Sequence, residues 1–190
     1  MKLDCGNNLV LRLPVKSDIA AFYALINTNR EHLTTWRNWT AEMISLNRVQ
    51  QFIERNAHAH RELLSPDFEH GTHPGFSFLL EHLDKPIGLA GFQGINRTND
   101  IGAMGYWIDE KQQGRGFTTV ACKAILAYGF DVLDLNRIEI QVLTTNAASI
   151  RVAEKLGFAR EAILSEVEKG ADAQYYDHYL FRMLRRDWKQ

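Results

Sequence analysis

Cysteine, net charge and long apolar runs are all scarce in this chain. Only Cys5 and Cys122 occur among 190 residues, which argues against a disulfide framework and for the reduced thiols of an intracellular protein. With 22 basic and 23 acidic side chains the net charge is −1, so neither a dedicated nucleic-acid binder nor direct nucleic-acid contact is expected. No stretch is long enough to span a bilayer, and Met1 to Gly6 lack the apolar core of a secretion signal. The expected setting is cytoplasmic, away from membranes. Around His58, His60, His70 and His73 no cysteine or carboxylate spacing completes a ligand set, and His58 and His60 would point to different sides of a helix. No metal is expected. Cys122 falls in mid-helix, where a free cysteine is usually buried rather than nucleophilic.

Repeats, low-complexity segments and linkers are missing too, so residues 1–190 read as one domain, large enough for a core without staples. The apolar share of 45% and charged share of 24% are those of an ordinary globular protein.

Leu9, Leu11 and Leu13 alternate with Val10 and Arg12, predicting a first strand ended by Pro14. Ser17 is the expected cap of a helix whose apolar face is Ile19, Phe22, Tyr23 and Ile26. Asn29 to Thr40 look less regular. Ser45 is the expected cap of a second helix burying Leu46, Val49 and Ile53, and Leu64 to Pro74 read as a loop. Three strands follow: Phe76 to Leu80, Pro86 to Ile95 and Ile101 to Ile108. The turn-forming runs Leu83 to Pro86 and Asn96 to Asp100 separate them, so they form an antiparallel meander.

Next comes a helix, Thr119 to Leu133, with Phe117, Val120, Ala121, Ala124 and Tyr128 at helical spacing. Ile138, Ile140 and Val142 mark a further strand. Ala147 to Leu156 is a short helix stopped by Gly157. Phe158 to Val167 and Tyr175 to Met183 are the last strands, around a turn at Lys169 to Asp172. A strand–helix–strand crossover joined to an antiparallel meander requires a mixed sheet, and the class is α+β.

Gln113-Gly114-Arg115-Gly116-Phe117-Thr118 carries the chemistry. It follows the apolar run Gly105-Tyr106-Trp107-Ile108 and opens the third predicted helix, Thr119 to Leu133. A strand feeding a glycine-bearing turn and then a helix aims free backbone N–H groups, backed by the helix dipole, at one point. Gly114 and Gly116 leave room for a phosphate to approach. The spacing is neither G-x-G-x-x-G, since position 119 is Thr, nor a P-loop, since its Lys is missing.

With Asn146-Ala147-Ala148-Ser149 and Lys155-Leu156-Gly157-Phe158, these segments resemble the GNAT superfamily of acyl-CoA-dependent N-acetyltransferases. Within it the chain is similar to the RimJ/RimL branch, which acetylates N-terminal amines of ribosomal proteins. The resemblance runs from Leu9 to about Trp188 and implies a single GNAT-like domain. Its mixed, mostly antiparallel sheet would be splayed to admit acetyl-CoA and flanked by helices. It implies homodimerisation as well.

In that family Q/R-x-x-G-x-G/A binds the CoA pyrophosphate, which maps onto Gln113, Gly116 and Thr118; the Thr is a departure from Gly or Ala. Arg115 is either a phosphate partner or a solvated arginine. Trp107 and Ile108 would offer main-chain groups to the pantetheine arm and the thioester carbonyl. Asn146 is an N-cap by type and a contact of the cofactor arm by resemblance. Ser149 would be the general acid for the leaving thiolate, with one of Tyr175, Tyr176 and Tyr179 as its substitute. Glu168 matches the expected base, needed because an α-amine with a pKa of about 7.7–8.0 is largely protonated near neutrality. Trp36 and Trp39 fall where relatives build the acceptor groove, and Tyr175 completes the expected acceptor contacts. The implied activity is direct transfer of acetyl to a primary amine, favouring a protein N-terminus. A polyamine, aminoglycoside or amino-acid conjugate is the alternative acceptor, and a silent acyl-CoA-binding module is the alternative of another class.

Overall fold

The computed structural model describes residues 1–36, 45–65, 68, 70–170 and 172–189. Short strands β1 (Lys2–Asp4) and β2 (Leu9–Arg12) are followed by helices α1 (Ile19–Thr28), α2 (Arg30–Trp36) and α3 (Leu46–Leu63). Strands β3 (Thr72–His73), β4 (Phe76–His82), β5 (Lys85–Asn96) and β6 (Ile101–Ile108) come next. Helix α4 (Phe117–Ala127), strand β7 (Arg137–Leu143), helix α5 (Ala147–Lys155) and strands β8 (Ala159–Lys169) and β9 (Tyr175–Leu184) complete the chain. One mixed sheet runs β1-β2-β4-β5-β6-β7-β9-β8, with β3 also on β5. Among the described residues only β6 and β7 pair in parallel, so the expected α+β arrangement is the observed one.

The sheet separates two layers. On one face α4 buries Ala121, Cys122, Ile125 and Leu126 against Phe78, Leu80, Phe92 and Met104. On the other, Phe22 and Ile26 of α1 and Val49 and Ile53 of α3 enclose Leu79 and Leu89. Each fully buried Val, Leu, Ile, Phe or Met among them contributes about 1.5–3 kcal/mol relative to an exposed one.

Several local expectations differ from the structure. Of the expected apolar face of α4, Phe117, Ala121, Ala124 and Tyr128 pack on the core but Val120 is exposed, because the helix rolls its Cys122–Ile125 side onto the sheet. Below Ala127 it widens into a π-helical turn, Tyr128–Val132, rather than running on as α-helix to Leu133. Ser17 does not cap α1. A 3₁₀ turn, Lys16–Asp18, comes first, and the Asp18 carboxylate accepts from the Val15 N–H at 2.7 Å. Asp18 is held there by Arg12, whose guanidinium grips it with two hydrogen bonds, at 2.7 and 2.8 Å, and reaches Glu81 at 2.7 Å. The irregular stretch begins with a helix, α2, and the loop before Phe76 contains β3. Strand β1 was not expected at all.

Candidate active site

Strands β6 and β7 share a ladder only where Ile101, Gly102 and Ala103 face Arg137, Ile138 and Glu139. Beyond that the two strands part. Main-chain polar groups alternate sides along a strand, so the open side is fixed by the paired one. The Asp109 N–H donates to the Ile87 carbonyl on the β5 side, at 2.7 Å. Trp107 lies two residues back and turns its N–H and C=O to β5 as well. Tyr106 and Ile108 therefore present theirs to the gap. This changes the expectation for Trp107: its backbone is committed to β5, and its ring stacks on Phe22, with centroids 6.1 Å apart.

At the end of β6 the chain forms the anticipated cradle. Gly114 and Gly116 have φ of 74° and 80°, left-handed values that favour glycine, and a Cβ on either would meet nothing within 4 Å. Helix α4 starts at Phe117 with Gly116 as its N-cap and no side-chain cap. Its first intrahelical bond is Val120 N–H to the Gly116 carbonyl, 3.1 Å, so the N–H groups of Phe117, Thr118 and Thr119 have no acceptor within the helix. Unfilled donors at the positive end of a helix, with open space above, suit a phosphate. Gln113 is braced from α2, its Nε2 2.8 Å from the His32 ring.

A cavity of about 340 Å³ joins this cradle to the parted strands. Trp107, Ile108, Gln113, Gly114 and Gly116 line it, with Phe117 and Thr118 from the start of α4 and Asn146 and Ser149 from α5. Arg115 does not. Its guanidinium hydrogen-bonds Gln112 and sits 4.7 Å over the Phe117 ring.

Helix α5 is held at both ends. The Asn146 Oδ1 accepts from the Ser149 N–H at 3.1 Å, leaving its Nδ2 for the cavity. At the other end Gly157, φ 82°, donates to Glu154 while Phe158 donates to Ala153, both at 3.0 Å, a Schellman stop. Tyr106 fastens this helix to β6: its hydroxyl donates to the Ser149 carbonyl at 3.2 Å. Burial pushes the Tyr106 phenol far up, as it does the enclosed Cys122 thiol, so both stay protonated. Sequence reasoning missed Tyr106; the only trace was a hydroxyl-bearing residue within an apolar strand.

Register settles which face each group occupies. Ala103 faces Glu139, Leu143 faces His178, and His178 faces Leu164, so Trp107, His178 and Glu168 share the α1/α3 face. The Glu168 carboxylate is 3.1 Å from the His178 Nε2, and neither lines the cavity. Ser149 comes from the opposite face with α5. Tyr175, at the start of β9, is exposed, lies outside the cavity and carries Lys169 over its ring at 5.7 Å. The Trp36 side chain and the whole of Trp39 lie outside the described residues.

The comparisons with known proteins agree with this geometry. A family model described as an acetyltransferase (GNAT) domain matches residues 8–159. An uncharacterised N-acetyltransferase, p20, of Bacillus licheniformis is 35% identical over 113 residues, 60% of this chain and 63% of that protein. A ribosomal-protein-serine acetyltransferase of Escherichia coli is 26% identical, covering 88% of each chain. Among solved structures, RimL, the ribosomal L7/L12 alpha-N-protein acetyltransferase in complex with coenzyme A, superposes with a TM-score of 0.87. That pair is 21% identical, and the match covers 99% of this chain and 100% of RimL. With four-fifths of its length under that family model, the chain belongs to the GNAT acetyltransferase family.

Proposed function

We propose that this protein transfers an acetyl group from acetyl-CoA directly to a primary amine, with the N-terminal amine of a ribosomal or other protein as the favoured acceptor. The observation that carries it is the cavity that runs unbroken from the uncapped start of α4 to the gap between β6 and β7. In it the diphosphate sits on the N–H groups of residues 116–119, with Gln113 beside them. The Asn146 Nδ2 holds the pantetheine arm. The thioester carbonyl lies in the gap, where the main-chain N–H of Tyr106 or Ile108 stabilises its developing oxyanion.

Acid and base act from opposite faces of the sheet. On the α1/α3 face Glu168, oriented by His178, takes the proton from the incoming ammonium, directly or through water. The neutral nitrogen forms the C–N bond, the C–S bond breaks as Ser149 protonates the departing thiolate from the α5 face, and the proton shed by the new amide nitrogen returns to the Ser149 oxygen, directly or through water. No covalent enzyme intermediate is needed. Relatives named for ribosomal-protein substrates support the choice of acceptor. The same reading carries a cytoplasmic setting and a homodimer.

The test is CoA release from acetyl-CoA with N-terminal peptides and small amines as acceptors. Acetylation of peptide α-amines above all other acceptors supports the proposal. Binding of acetyl-CoA without transfer to any amine overturns it in favour of a binding module.

A further inference from the structure

A second cavity, of about 390 Å³, lies on the α1/α3 face, between α3 and strands β4–β6. It shares Tyr106 and Trp107 with the cavity described above, so the two meet at the gap from which the thioester would be attacked. Phe52, Ala59, Phe76 and Leu89 make its walls largely apolar, and among the described residues no acidic side chain lines it.

Three longer polar side chains line it: Arg55, Gln93 and Asn56. Asn56 is tied to β4, its Nδ2 donating to the Ser77 carbonyl at 2.8 Å and its Oδ1 accepting from the Ser77 N–H at 2.6 Å. Arg55 and Gln93 are exposed and take no partner among the described residues. The neighbouring acid on α3, Glu54, is engaged elsewhere, with Gln50 at 3.0 Å and Lys16 at 3.5 Å. Gln93 is the extra residue of a bulge in β5, between the pairs Phe92–Met104 and Gly94–Ala103. The bulge turns its amide across β6, where it rests on Gly105; a Cβ there would come within 2.2 Å of the amide nitrogen. The fold thus sets a cation and a free amide over an otherwise apolar cleft.

We infer that this cleft receives the part of the acceptor beyond its reactive amine, and that Arg55 and Gln93 select an acceptor bearing a carboxylate there. The inference rests on the direct-transfer reading above and narrows its substrate class. A guanidinium and an amide N–H₂ together match the two oxygens of a carboxylate. A second cation on the acceptor meets Arg55 unscreened by any lining acid, which disfavours polyamines. The carboxylate comes either from an acidic residue near a peptide N-terminus or from a short ω-amino acid.

The test measures kcat/KM for acetyl transfer by the purified full chain. Its acceptors are peptides identical except for Glu, Gln or Lys after the first residue, a short ω-amino acid, and spermidine. The expected order is Glu above Gln above Lys, by about tenfold per step, with spermidine slowest and the spread shrinking at high salt. Arg55→Glu reverses the Glu and Lys order, with its thermal midpoint recorded to establish folding. Transfer to the ω-amino acid as fast as to the Glu peptide upholds carboxylate selection and assigns it to a small acceptor. Equal rates for Glu and Lys peptides overturn the inference and leave direct transfer standing. Acetylation of spermidine alone overturns both this selection and the protein-terminus reading.

Discussion

The Tyr106 hydroxyl donates to the main-chain carbonyl of Ser149 at 3.2 Å, bridging a β6 strand that has already parted from β7 to the helix that follows β7. Where the strand ladder stops, this bond replaces it as the tie between the two halves of the sheet. Tyr106→Phe removes one buried hydrogen bond, worth about 1 kcal/mol. In a domain of this size that lowers the thermal midpoint by about 3 °C. Because the tie also places Ser149 relative to the gap, turnover should fall several-fold, more than the lost stability accounts for at a temperature where the variant is folded. Calorimetry and acetyl-transfer rates on the same preparation check both. A midpoint and a rate equal to wild type would show that the bridge holds nothing.

Much of this arrangement was legible from local signals. Ile101 to Ile108 was bounded correctly because Asn96 to Asp100 is a turn by composition, and Asp100 does adopt a positive φ of 51°. The caps Ser45 and Asn146 and the stop at Gly157 are chemistry of neighbouring residues, and each stands where it was expected. What escaped depends on distant partners. Asp18 displaces Ser17 because Arg12 on β2, itself held by Glu81 on β4, fixes it. The exposure of Val120 escapes the sequence because the roll of α4 is set by Phe92 and Met104, on strands distant from it in the chain. Tyr106 and Gln93 owe their roles to a register and a bulge, neither of which a single strand displays.

Gly116 separates strain from ligand contact. At φ 80° any Cβ is strained, so Gly116→Ala should lose about 1–2 kcal/mol of stability, and Gly114→Ala, at φ 74°, a similar amount. Neither Cβ touches protein. Gly116 caps α4, so its methyl alone stands among the free N–H groups. Acetyl-CoA should then bind at least about tenfold more weakly to Gly116→Ala, a loss of about 1.4 kcal/mol, and the Gly114 variant should lose less. Titration calorimetry on both variants checks this; equal affinities would remove residues 116–119 from the phosphate site.

His60 should make the fold acid-sensitive. Burial between α3 and the sheet pulls its pKa below the ordinary 6.5, and burial does the same to His73. The Tyr128 phenol, raised to about 12 by burial, stays protonated and lies 3.3 Å from the His60 Nε2. Below pH 6.5 the unfolded chain takes up protons that the folded histidines refuse, so stability is whole above 6.5 and declines as pH falls beneath it. His60→Gln keeps a hydrogen-bonding group near Tyr128 and removes one titrating site. Its thermal midpoint should drop less between pH 7 and pH 5 than that of wild type. Parallel curves for the two proteins would contradict the assignment.

On the proposed mechanism Ser149 and Glu168 should fail in different ways, because there one handles the leaving group and the other the attacking amine. Loss of a positioned acid or base typically costs about 10²–10⁴-fold in rate. Ser149→Ala and Glu168→Gln should therefore each lower kcat by about 10² or more near neutral pH, with little change in KM for acetyl-CoA. Raising the pH distinguishes them. Above the amine's own pKa of about 7.7–8.0 the acceptor is already neutral, so a base has little left to do. The Glu168→Gln deficit should then shrink towards wild type as pH rises through 8 to 9. The Ser149→Ala deficit should persist, since the thiolate still leaves without its proton donor. If the serine variant recovers and the glutamine variant does not, the roles are reversed; if both keep full turnover at every pH, neither residue touches the reacting atoms.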